Sequence, residues 1–147
     1  MNVRLLAVQK KNTFKASLLF AGRNPNKILF MSSTCALQFY ERHGAFPIGD
    51  GMFYVETFLS NFRDRLRDFT VEEGCVIAYR AISDAIKINV GIIGEPIDVW
   101  TIKNKENAKR KSKADRKRLN DIVLSWKNAE INAFKLFLKE NKAFPQT

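Results

Sequence analysis

The chain holds a single histidine, His43, and only two cysteines, Cys35 and Cys75. One imidazole and two thiols far apart in sequence do not make the four-ligand set of a structural zinc site, so neither a metal nor a cofactor is expected. Both cysteines stand in apolar surroundings, which reads as reduced core residues of a cytoplasmic protein rather than as a disulfide framework. Long apolar runs are missing too. Nothing approaches the roughly 18 residues of a membrane span, and the first residues lack the continuous apolar core of a secretory signal. His43, between Arg42 and Gly44, reads as a solvated loop residue rather than a general base. Ser32-Ser33-Thr34 offers hydroxyls with no base close in sequence, and reads as a strand end. There is no internal repeat.

Positive charge is plentiful. The 147 residues carry a net charge of +10, and 46% of them are hydrophobic, enough for one domain with its own core. The charge is unevenly placed. Between Lys103 and Arg118 nine basic residues face only Glu106 and Asp115, so +7 of the total lies in one short segment.

Taken in order, the chain predicts an α+β domain. Phe14 to Ala21 reads as a buried strand, and Gly22-Arg23-Asn24-Pro25-Asn26 has turn chemistry. Lys27 to Ser32 and Leu37 to Tyr40 then complete an antiparallel meander. Gly44 to Gly51 is a loop leading into a helix over Met52 to Asp68, with Val55, Phe58, Leu59, Phe62 and Leu66 on one stripe. Thr70 and Glu73 form a capping box for a second helix, whose apolar face is Val71, Cys75, Ala78, Ile82, Ala85 and Ile86. Gly91, Gly94 and Pro96 turn the chain into a last strand, Ile97 to Ile102. Residues 1–102 are thus one unit and 103–118 a basic linker or helix start. Residues 119–142 form an amphipathic helix bearing Leu119, Ile122, Val123, Trp126, Phe134 and Phe137.

Three segments carry a family likeness: ASLLFAGRN (Ala16 to Asn24), KILFMSSTCALQFYERHGAFPIGDG (Lys27 to Gly51) and TVEEGCVIAYRAISDAIKINVGIIGEPIDVWTI (Thr70 to Ile102). In order and wording, residues 12–102 resemble the C-terminal half of a proteasome β-type subunit, of the N-terminal-nucleophile hydrolase family. The resemblance implies a layered αββα fold, of which this chain holds a partial version: antiparallel strands, a helix pair and an added C-terminal helix. In that family the other half supplies the threonine nucleophile, a carboxylate and a lysine, and nothing ahead of Phe14 is expected to supply them here. The family's serine between two glycines matches Asp50. Its aspartate after the long helix and the serine three residues later match Asn89 and Ile92. An amide for a carboxylate removes the charge that supports a protonated amine, and isoleucine for serine removes a hydroxyl.

The resemblance therefore implies a degenerate, non-catalytic relative acting through assembly with itself or with a proteasome-like partner subunit, off the membrane. The alternative is one part of a split or longer threonine-type peptidase whose nucleophile lies outside this chain. Two interaction surfaces are expected, the stripe Trp126, Phe134 and Phe137, and the basic residues Lys109, Arg110, Lys111, Arg116, Lys117 and Arg118. For the latter a solvated linker or exposed helix start is the first reading, and an acidic protein surface ranks ahead of nucleic acid, because no aromatic side chain is interleaved with the charges.

Overall fold

The computed structural model describes residues 18–22, 27–32, 36–39, 44–66, 68–89, 91–102 and 107–141. These form an α+β architecture with a three-stranded and a two-stranded antiparallel sheet and three α-helices. The chain divides into two compact units, Met1–Glu41 and Arg42–Thr147.

The first unit contains the meander: β1 (Leu18–Gly22), β2 (Lys27–Met31) and β3 (Leu37–Phe39), with β2 in the middle. The register sets Phe20 opposite Leu29 and Leu29 opposite Phe39, so these three share one face. Leu19, Phe30 and Gln38 line up on the other. Side-chain alternation thus leaves large apolar groups on both faces, the pattern of a strand set meant for an interior layer. The expectation of a buried strand over Phe14 to Ala21 is corrected here: Leu19, Phe20 and Ala21 are exposed, as are Leu37 and Phe39 of β3. The expected turn at 23–26, most of Ser32-Ser33-Thr34, Cys35, Tyr40 and His43 lie outside the described residues.

The second unit is built on α2 (Val71–Ile88). Its start matches the sequence: Thr70 Oγ1 accepts from the Glu73 amide, and the Thr70 amide donates to the Glu73 carboxylate at 2.8 Å. These bonds hold the Glu73 carboxyl below its usual range. At the other end Asn89 is the C-cap and Gly91 takes φ +92°, a backbone conformation that L side chains rarely adopt. The buried face differs from the predicted one. Cys75 and Tyr79 pack with Ile97, Val99, Leu119 and Val123, while Ala81 and Ala85 pack with Val55. Val71, Ala78 and Ile82 are exposed. A helix flanked by neighbours on two sides has two buried stripes, and a single-stripe reading of the sequence averages them.

The preceding helix is shorter than the periodicity predicts. It runs as α1 (Met52–Ser60) and gives way to a 3₁₀ turn at Arg63–Arg65. Ser60 Oγ donates to the Thr57 carbonyl at 2.7 Å and Asn61 Nδ2 to the Phe58 carbonyl at 3.1 Å. The Asn61 and Phe62 amides bond three residues back, which tightens the last turn.

After Pro96 the chain alternates strictly, with Ile97, Val99 and Thr101 buried and Asp98 and Trp100 outward. Only β4 (Trp100–Thr101) is regular strand. Its partner is β5 (Lys109–Arg110), inside the segment expected to be a linker or helix start. Helix α3 (Lys113–Glu140) begins before the expected Leu119. The reason is a second capping box, Ser112 with Asp115, whose hydroxyl and amide bonds from Ser112 hold the Asp115 carboxyl below its ordinary range. No helix among the described residues is long and apolar enough to cross a membrane.

Val123 is the largest fully buried side chain, seated where α2, α3 and the 97–101 segment meet. Val123→Ala is expected to lower the stability of the second unit by about 2 kcal/mol, two methyl groups' worth of transfer plus a small cavity. Urea unfolding followed by circular dichroism checks this, with a lower midpoint at unchanged slope.

Candidate interaction surfaces and an apolar cavity

A cavity of about 760 Å³ opens between the 44–51 loop, α1, α2 and the turn at 92–94. Ala78 and Ile82, which the sequence assigns to the core face of α2, line this space. Two of the three positions singled out in the sequence also meet here: Asp50 and Ile92 both contribute to the wall. Gly51 allows the approach, since a Cβ there would come within 2.6 Å of Ile93 Cδ1. Asn89 is not in the wall; it caps α2, and its carbonyl accepts from the amides of Ile92 and Ile93 at 3.1 and 3.2 Å.

Chemically the cavity is simple. Of the described residues lining it, Asp50 alone carries a charge, and the rest are apolar or glycine. A lone exposed carboxylate has neither a hydroxyl or thiol to activate nor a cation to pair with in that wall. Among the described residues no cluster of three or more His, Cys, Asp or Glu side chains could hold a metal ion. Cys75 is buried in the core rather than a surface group.

The aromatic stripe of α3 divides in two. Trp126 is engaged inside the fold, with Phe58 and Phe62 rings at 6.2 and 6.0 Å and the Arg80 guanidinium 4.0 Å above its ring centroid. Arg80 also faces Phe58 at 5.3 Å and donates two bonds, 2.7 and 2.6 Å, to the Glu130 carboxylate. Its Nε lies 3.5 Å from Asp84, near enough for ionic attraction without the alignment of a hydrogen bond. Lys127 closes the group by pairing with Asp84. The bidentate bond to Arg80 holds the Glu130 carboxyl low, and the same bond raises Arg80 further. Sequence reasoning missed Arg80, which looks like any polar residue on a helix; the signal was its position one turn after Val76 on a helix otherwise rich in buried side chains. Phe134 and Phe137, by contrast, are 60% and 57% exposed, on the continuation of the face that Val123 and Trp126 bury.

The basic segment also divides. Arg110 donates to Asp98 at 2.7 and 2.9 Å from one nitrogen and at 3.2 Å from another. Arg116 reaches the same carboxylate at 2.7 Å. These two are structural ties between β5, α3 and the 97–101 segment. Lys109, Lys117 and Arg118 are exposed, and Lys111 is half-buried with its amide bonded to the Val99 carbonyl at 2.9 Å. Comparisons with family models, with curated proteins and with solved structures give no match.

Glu130→Gln is expected to cost about 1–2 kcal/mol, less than a fully buried pair because the Glu130 side chain stays 49% exposed. Its carboxyl is depressed in the folded state, so its contribution is present above the ordinary value of 4.5 and fades as pH falls through the folded one. Wild type should therefore lose stability on acidification below about 4.5 more steeply than the Gln variant, in melts taken across that range.

Proposed function

We propose that this chain is a proteasome-subunit-like protein of the N-terminal-nucleophile hydrolase type, without peptidase chemistry of its own, that acts by assembling with itself or with a proteasome-like partner subunit. The observation that carries this reading is the cavity wall. Positions that match the family's supporting serines, Asp50 and Ile92, border a large apolar space with one carboxylate and no nucleophile among its described lining residues. Asn89, at the matching aspartate, contributes a backbone carbonyl to the turn and has no carboxylate to offer.

Assembly follows from what is left uncovered. The meander presents apolar side chains on both faces. A layered αββα fold buries such a sheet between a second sheet and a helix pair, and edge strands without partners favour pairing with another chain. Exposed apolar surface on this scale is characteristic of a protein that is covered in its working state.

The test is association state with a probe inside the cavity. Ala78→Glu introduces a second carboxylate into the wall that already holds Asp50, and burying it unpaired is costly. Sedimentation velocity should show wild type as an oligomer and the variant at least about tenfold more weakly associated, a difference of about 1.4 kcal/mol. A cooperatively melting wild-type monomer that fails to bind a proteasome-type partner chain would sink the proposal. Fluorogenic-peptide turnover blocked by a threonine-directed electrophile would instead favour the split-peptidase alternative.

A further inference from the structure

The β4–β5 pairing sets an aromatic side chain beside an arginine. Trp100 stands directly opposite Arg110 in the register, so their side chains leave the same face of the two-stranded sheet. Asp98, two residues earlier on that face, holds Arg110 and Arg116 together. The Trp100 side is 58% exposed, and its indole makes no ring or hydrogen-bond contact among the described residues. Lys113, Lys117 and Arg118 are exposed on the first turns of α3, the helix whose Arg116 shares the Asp98 carboxylate, while Lys109, opposite Thr101, leaves the other face of the pair. The opposing charges are few. Asp98 is shared between two guanidiniums, and Asp115 is taken up by the Ser112 cap.

We propose that this face binds single-stranded nucleic acid, with a base stacked on Trp100 and flanking phosphates on Arg110, Arg116 and the exposed cations at the start of α3. An exposed indole gives every base a π-surface, and cations beside it follow the backbone; together these are the two components of sequence-tolerant single-strand binding. Asp98 serves the site by holding the two guanidiniums on one carboxylate. Single strands fit better than duplex, because a paired base has no free face to offer the indole. An acidic protein segment would use the same cations, yet it has no use for an exposed, unpartnered indole among them.

Binding of a fluorescein-labelled oligothymidylate, followed by fluorescence anisotropy over a salt titration, tests the site. Wild type should bind at low salt, with log affinity falling linearly in log salt by about 0.7 for each phosphate neutralised. Trp100→Ala should weaken binding about tenfold to hundredfold at unchanged salt slope. Trp100→Phe should recover most of that loss, which separates stacking from any disturbance of β4. Lys117→Glu with Arg118→Glu should reduce the slope instead, and both residues are exposed, so the fold tolerates the change. Three results overturn the proposal: no binding at low salt, binding indifferent to Trp100→Ala, or polyglutamate bound in preference to the oligonucleotide. The last of these would mark the face as a dock for acidic protein.

Discussion

Arg80 holds the second unit together. Its guanidinium lies against the Trp126 ring, faces Phe58, and makes a two-point bond to Glu130, so α1, α2 and α3 all converge on one charged group that is only 8% exposed. A cation with this little solvent is tolerable only when its charge is matched and its flat faces are covered by aromatic rings. Both conditions are met by residues from helices far apart in sequence. The apolar clusters around Val123 and around Ala85 each include side chains of α2.

That arrangement explains how the charge of the chain is distributed. The Arg80, Asp84, Lys127 and Glu130 group contains two cations and two anions and is neutral as a unit. Asp98, with Arg110 and Arg116, is one cation in excess. Lys109, Lys113 and Lys117 are exposed on β5 and the first turns of α3, outside these two groups. Structural and potentially functional cations are therefore interleaved along one stretch, and only their partners distinguish them.

The uncovered apolar surface has a similar logic. Phe134 and Phe137 continue the face of α3 that is buried at Val123, beyond the reach of α2. Ala78 and Ile82 belong to a helix that is already packed on two other sides, and they border an open cavity. The meander carries apolar groups on both faces. Each is a place where the pattern calls for a covering layer, and each is consistent with a domain completed by association.

Local chemistry was legible in the sequence. The Thr70–Glu73 box, the three strands of the meander, the loop from Gly44 and the stop at Gly91 all follow from interactions between residues a few positions apart, which the chain carries wherever it folds. What only the tertiary structure decided is pairing at a distance. A helix reports one apolar period, so the two buried stripes of α2 were merged into one; a charge run reports only its sum, so Arg110 and Arg116 looked like Lys117 and Arg118. Trp100 gained cationic neighbours, and Arg80 its rings, through contacts that no spacing in the sequence encodes. Those contacts depend on where α3 returns across α2 and where β5 returns beside β4. Their energies belong to the assembled core and not to any single segment.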